Sequence, residues 1–236
     1  VASADKLGTN IQTIFNATWS VRDGTVVPQT EHVVLANGAV KLEAVMLYAD
    51  LFHSTQLQRT FPNSMVAKIV RAYLSSMTRL INDAGGHVRS FDGDRVMGVF
   101  VGGHKNSEAA RCALRMNYVV DKILRPKAEA KFPSLVTKGF VIDHCAGIAR
   151  SEVLVVRGGV RGSNDLVFIG GAPNLAAKLS EIRESPASTW MTWDVYKYLH
   201  DWAKIGSNGN NMWTLAKRNI AGQSWDLYKS GWTWTP

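Results

Sequence analysis

This sequence predicts an α+β fold, one sheet with helices laid on it. Three observations carry that reading. Apolar strand-like runs and amphipathic helical stretches are mixed along the chain, not in strict βαβ alternation. Two of the runs are joined by Asp92-Gly93-Asp94, and a DG turn between apolar runs signals a hairpin. With 46% hydrophobic and 19% charged residues over 236 positions, the chain is globular, not disordered or fibrous.

Residues 1–40 combine a short helix, about Asn10 to Trp19, with a Gly/Pro/Asn-punctuated stretch and read as an N-terminal extension. Residues 42–49 form a nearly continuous apolar run, the pattern of a buried strand, which ends at Asp50. Ser54-Thr55 caps a short helix that Pro62 stops. Asn63-Ser64 caps a longer helix. Met65, Val66, Ile69, Val70, Tyr73, Leu74, Met77, Leu80 and Ile81 form its single apolar stripe, and Gly85-Gly86 ends it. The hairpin strands follow at residues 87–91 and 95–101. A third helix runs from Asn106 to about Lys131. Strands are expected near residues 139–149, 152–156 and 165–169, helices near 172–183 and 193–203, and final strands near 212–216 and 224–228. The order is roughly βααββαβββαβαββ.

Composition narrows the function. No run of about 18 apolar residues exists, which excludes a transmembrane helix. The start lacks the basic-then-apolar order of a signal peptide. Two cysteines, Cys112 and Cys145, make neither a disulfide framework nor a four-ligand zinc site, so a reducing cytoplasm is the expected setting. A net charge of +8 favours anionic partners, but no polybasic run marks a nucleic-acid or membrane binder. Seven of eight tryptophans lie at or after Trp190, which predicts a separately packed C-terminal piece or an aromatic contact surface.

Several common motifs are absent: GxGxxG after a strand, a P-loop Gly-Lys-Ser/Thr, His-Glu-x-x-His and Gly-x-Ser-x-Gly. What remains is acidic. Asp50 ends a buried strand directly before a helix, where the backbone N–H groups of Phe52, His53, Ser54 and Thr55 suit phosphate oxygens and the carboxylate suits a hard cation. Asp94 lies in the tight hairpin. Two carboxylates brought together hold two divalent ions for in-line displacement at phosphorus; the same residues equally suit a helix cap and a turn. Asn174 and Lys178, four apart on one helix, present an amide and an ammonium on one face, fit for a sugar oxygen and a phosphate.

These residues carry a family resemblance. Residues 44–55 resemble the first metal motif of class III nucleotide cyclases; residues 85–88 and 91–100 resemble the second; residues 165–179 resemble the transition-state helix. The resemblance spans about 41–230, with 1–40 as an extension and 231–236 as a tail. It implies a ferredoxin-like βαββαβ core with a mixed, mainly antiparallel sheet covered by helices. It also implies a homodimer with composite active sites, in which the aspartates and the Asn174/Lys178 pair come from opposite protomers. Asp50 and Asp94, with the Leu51 carbonyl, would bind two Mn2+ or Mg2+ ions. Asn174 would orient the ribose and Lys178 would stabilise the α-phosphate. The family's usual residue at 178 is Arg, and Lys keeps the charge without the bidentate fork. Lys217 or Arg218 would be the late triphosphate-binding residue.

The base-reading positions of that family fall at Ser90 and Val167. Neither is built to read a purine edge, because specificity comes from buried groups that demand a partner. Tyr48, two residues before Asp50 and on the same strand face, supplies bulk or a hydroxyl near a smaller base. Residues 160–167 and 174–179 resemble the bacterial pyrimidine cyclases of Pycsar antiphage systems. The expectation is therefore a uridylate cyclase making cyclic UMP from UTP, whose product activates a separate cyclic-nucleotide-gated effector. A cytidylate, adenylate or guanylate cyclase, or a silent nucleotide-binding module, is the alternative.

Overall fold

The computed structural model describes residues 3–236. In chain order it contains α1 (Ala4–Asn16), β1 (Ser20–Asp23), β2 (Gly38–Leu51), α2 (Ser54–Thr60), α3 (Asn63–Asp83), β3 (His87–Asp92), β4 (Arg95–Phe100) and α4 (Lys105–Tyr118). A π-helical turn, Val119–Leu124, leads into α5 (Arg125–Lys131), α6 (Ser134–Thr137), β5 (His144–Val160), β6 (Ser163–Gly170), α7 (Gly171–Ser180) and β7 (Thr189–Thr192). The chain closes with α8 (Trp193–Lys197), α9 (Asp201–Lys204), β8 (Thr214–Ile220) and β9 (Gln223–Ser230).

Among the described residues nine strands make one sheet, ordered β3-β4-β2-β5-β7-β9-β8, with β1 beside β2 and β6 beside β5. Pairing is antiparallel except for β1–β2 and β5–β7. The α+β expectation, a mainly antiparallel sheet covered by helices, describes this architecture.

β2 lies at the centre and is buried on both faces, which is why it reads as a continuous apolar run. Val45, Leu47, Ala49 and Leu51 face a core built with α3 and α4. Leu42, Ala44 and Met46 face the other way, toward Ala172 and Ala176 of α7. α3 buries Met65, Val66, Ile69, Tyr73, Met77, Leu80 and Ile81, the stripe its spacing predicts. It ends in a Schellman motif: Gly86 N–H bonds the Ile81 carbonyl, Gly85 N–H bonds the Asn82 carbonyl, and Gly85 takes φ 73°.

The structure differs from the sequence reading at several elements. The N-terminal helix is Ala4–Asn16, not 10–19, and Ser3 caps it by accepting from Lys6 N–H. α2 is entered through His53 in the left-handed conformation (φ 58°), without a Ser54 or Thr55 side-chain cap. The third helix is one rod with a π turn ahead of Pro126, which has no N–H to continue the regular ladder. The strands expected at 139–149 and 152–156 are one strand that begins at His144. Arg150, Ser151 and Glu152 break the apolar pattern, yet their backbones stay in register with Val45, Ala44 and Glu43. The helix expected at 193–203 is split, because His200 is extended and gives its N–H to Ser107 Oγ.

The tryptophan-rich end is not a separate piece, although Trp193, Tyr198 and Trp202 are exposed on it. β7, β9 and β8 extend the main sheet, and Trp190 and Trp213 are buried. Trp232 and Trp234 pack against the helix-side core, and Trp234 N–H bonds the Leu114 carbonyl.

One contact sets the position of α7. A Cβ placed on Gly147 of β5 would lie 2.1 Å from the Ala176 carbonyl oxygen, so α7 rests on bare backbone there. Gly147→Ala is expected to cost about 1–3 kcal/mol of unfolding free energy, since backbone cannot yield as a side chain can. Urea denaturation reads it, and an unchanged midpoint would contradict the contact.

Candidate active site

Asp50 and Asp94 are brought together by strand register. Asp50 on β2 pairs with Arg95 on β4, directly beside Asp94 in the β3–β4 turn. Gly93 takes φ 60° at the first central position of that two-residue turn, where few other residues fit. Burial pushes the Asp50 carboxyl up from its ordinary pKa. The Arg183 hydrogen bond pulls it back, and nearby Asp94 pushes it up again. Asp94 has a buried Oδ2 without a hydrogen-bond partner. Two close carboxylates, one with an orphaned buried oxygen, fit a hard divalent cation bound through oxygen. Among the described residues no group of three or more His, Cys, Asp or Glu side chains is placed to hold a metal, here or elsewhere, so the pair stands without a third such ligand from its own chain.

Asp50 opens into a cavity of about 690 Å³ lined by Leu51, His53, Ser54, Thr55, Gln56, Arg59, Thr60 and Arg183. His53, Ser54 and Thr55 therefore meet Asp50 as expected. Phe52 does not: its N–H is taken by the Asp143 carbonyl at 2.8 Å, and its ring lies under the Arg183 guanidinium at 3.9 Å. Phe52 thus offers this site a ring, not an amide.

Tyr48 is half-buried on the same face of β2 as Asp50. It pairs across the sheet with Met97 on one side and Gly147 on the other. A bulge in β3 between Val88 and Ser90 sets Ser90 opposite Met97, so Ser90, Met97, Tyr48 and Gly147 form one row. Arg95 lies 5.6 Å from the centre of the Tyr48 ring. Burial raises the Tyr48 pKa, so the phenol stays protonated. Val167 is outside this row, exposed on β6 opposite Val156.

Asn174 and Lys178 are exposed on α7 and line a different cavity, of about 300 Å³, with Arg150, Asp194 and Trp225. The two cavities share no lining residue. Within one chain Asp50 and the Asn174/Lys178 pair therefore line separate cavities, and Asp94 lines neither. Lys217 is also apart: it is exposed on β8, paired with Asp226 at 2.8 Å, and lines neither cavity. Its neighbour Arg218 pairs with Glu184 and lies over Trp190.

Three arginines escaped the sequence reading. Arg183 bonds Asp50 at 2.7 Å, and Arg59 shares their cavity. Arg95 ties Asp92 (3.1 Å) to Glu181 (3.0 Å) beside Tyr48. The sequence places Arg183 at the end of a helix; α7 stops at Ser180, which frees the following segment to turn toward Asp50. The only local signal was that expected helix end.

Three known proteins align with nearly the whole chain, each named uridylate cyclase. That of Rhodovulum sp. (strain MB263) is 39% identical over 229 residues, covering 97% of this chain and 95% of its own. That of Xanthomonas perforans is 38% identical over 231 residues (98% and 97%). That of Burkholderia cepacia is 40% identical over 242 residues, covering all of both chains. Among solved structures, a bacterial light-regulated adenylyl cyclase superposes with TM-score 0.68 at 23% identity, over 83% of this chain and 53% of that one. The guanylyl cyclase Cya2 superposes with TM-score 0.66 at 16% identity, over 83% and 95%. No family model matches the chain.

A buried network backs the 51–55 loop. His144 pairs with Leu51 across β2 and β5, and its ring contacts Asn117 Oδ1 (3.0 Å) and Tyr73 Oη (3.4 Å). Burial, helped by Arg125 and Arg183, lowers the His144 pKa from 6.5 to about 3. The unfolded chain takes up this proton below about pH 6.5 and the folded chain does not, so stability falls as pH drops. Between pH 6.5 and 5 this residue is expected to contribute a slope approaching about 1.4 kcal/mol per pH unit. Unfolding curves of the wild type and His144→Asn check it; equal slopes would contradict it.

Proposed function

The chain belongs to the uridylate cyclase family, nucleotide cyclases of the class III fold, and from that premise we propose that it converts UTP to 3′,5′-cyclic UMP and pyrophosphate. The observation that carries the chemistry is the Asp50–Asp94 pair, Asp50 opposite Arg95 on β4 and Asp94 next to Arg95 in the turn, with a buried, unpartnered Asp94 oxygen. Two divalent cations (Mn2+ or Mg2+) on that pair, with the Leu51 carbonyl as a further ligand, would acidify the ribose 3′-hydroxyl and neutralise the leaving pyrophosphate.

The chain's own residues do the rest. The first-turn N–H groups at His53, Ser54 and Thr55 and the Arg59 and Arg183 side chains give the triphosphate its donors. Asn174 orients the ribose and Lys178 stabilises charge on the α-phosphate, both supplied by the partner protomer of a homodimer. The separation of the two cavities within one chain supports that composite arrangement. Catalysis is then positioning and charge stabilisation, complete only when both halves meet.

The choice of a pyrimidine rests on the row of Ser90, Met97 and Tyr48 beside the acidic pair, which gives bulk and one phenol but no carboxylate or lysine to read a purine edge. Val167 would join this pocket only from a partner chain. UTP over CTP follows the names of the relatives. In the cell, a cytoplasmic enzyme of this kind would release cyclic UMP as a second messenger to a separate effector in antiphage defence. Among the described residues no helix is long and apolar enough to cross a membrane.

A nucleotide panel tests the proposal. With Mn2+ and each of ATP, GTP, CTP and UTP, a cyclic monophosphate is expected from UTP, identified by mass. Asp50→Ala and Asp94→Ala are each expected to lower the rate at least about a hundredfold. Cyclic AMP or cyclic GMP as the main product would overturn the reading of Tyr48 and Ser90. Triphosphate binding without pyrophosphate release would mark a silent binding module.

A further inference from the structure

Arg183 holds a carboxylate that the proposed chemistry needs for a cation. Its Nη2 donates to Asp50 Oδ2 at 2.7 Å, its Nη1 donates to the Ser180 carbonyl at 2.8 Å, and its guanidinium lies 3.9 Å from the Phe52 ring centre. The Asp50 side chain is only 14% exposed and the Arg183 side chain 34%. A carboxylate so withdrawn from water requires a positive partner. Among the described residues Arg183 is the one cation bonded to it, while Arg95 faces Asp92 and Glu181.

Arg183 holds Asp50 Oδ2, so a divalent cation on either oxygen of that carboxylate would lie close to the guanidinium and be repelled by it. That repulsion favours a move of Arg183 when a cation binds. The side chain already lies on the wall of the cavity that contains Ser54, Thr55 and Arg59, and it follows the end of α7 in a segment outside regular structure. A short swing, with the Phe52 face as its pivot, keeps it in that cavity. An incoming triphosphate supplies the negative charge that Asp50 no longer offers, in the bidentate form that a guanidinium suits.

We propose that Arg183 is an exchangeable counter-ion, which holds Asp50 in the free protein, gives it up to the divalent cation, and takes the nucleotide triphosphate as its new partner. The inference rests on the reading of Asp50 as a cation ligand. It makes Arg183 a positioning residue for that carboxylate and couples cation entry to nucleotide entry. The bare protein then binds the cation weakly, and the nucleotide-bound protein binds it well. A fixed bridge that merely orients Asp50 would behave oppositely, since removing it would weaken cation binding.

The test is a Mn2+ titration of the full chain, read by the electron paramagnetic resonance of free Mn2+. It is run on wild type, Arg183→Gln, Arg183→Lys and Asp50→Asn, with and without 3′-deoxy-UTP, which lacks the attacking hydroxyl. Without nucleotide, Arg183→Gln is expected to bind Mn2+ about tenfold tighter than wild type, the scale of one removed competitor. Binding of 3′-deoxy-UTP, read by equilibrium dialysis in saturating Mn2+, shows the opposite order: Arg183→Gln binds the nucleotide several-fold more weakly than wild type, and Arg183→Lys falls between. Equal or weaker Mn2+ binding by Arg183→Gln without nucleotide, where Asp50→Asn abolishes it, would overturn the exchange and leave the cation site standing. Wild-type Mn2+ binding by Asp50→Asn would instead overturn the cation-site reading itself. If Arg183→Gln melts early, Arg183→Lys is read alone: intermediate affinity supports the exchange, and weaker binding than wild type contradicts it.

Discussion

The antiparallel ladder that joins β2 to β4 and β5 is the constraint on which everything else hangs. Strand side chains alternate faces, so register decides which residues meet the helices and which meet α7. In the register formed, Leu51 and Ala49 fill the helix-side core while Asp50 and Tyr48 take the opposite face. A slip of one residue would bury Asp50 among Tyr73 and Met77 and turn Leu51 toward the cavity. The cost of that exchange holds the register, and the register holds the acidic pair together. The same ladder sets Gly147 beside Tyr48 and so fixes where α7 can rest.

Charge then gathers at two separate places on the surface. One has Asp50 with Arg59 and Arg183 around a cavity of about 690 Å³, and Asp94 in the adjacent β3–β4 turn. The other has Asn174 and Lys178 on α7, with Arg150 close by. On the proposed reading, an anionic, phosphate-rich substrate with cations would bridge the two. The net charge of +8 acts here through particular side chains, not through a basic stripe of the kind nucleic-acid binding demands.

Much of this was legible in the sequence where the information is local. β2 declared itself by an unbroken apolar run, α3 by its stripe and glycine cap, the β3–β4 turn by Asp-Gly, and α7 by its glycine-led start. Asp50 and Asp94 were visible because each sits at such an element's end. What stayed hidden depends on partners distant in sequence. β5 runs unbroken through Arg150-Ser151-Glu152 only because β2 supplies its hydrogen bonds there. The tryptophan-rich end joins the sheet because β7 pairs with β5. Arg183 meets Asp50 across 133 positions, and no spacing rule points to it. Phe52 shows the same dependence, since its amide found Asp143, an acceptor that could not be chosen from sequence.

The central claim is that one chain holds only half of the chemistry, and subunit complementation tests it most directly. Asp50→Ala and Lys178→Ala chains, co-expressed with different tags and purified as the doubly tagged heterodimer, leave one intact composite site per pair. Each variant alone is expected to be inactive and the heterodimer to show about half of the wild-type activity per dimer. A heterodimer no more active than either parent would contradict the account.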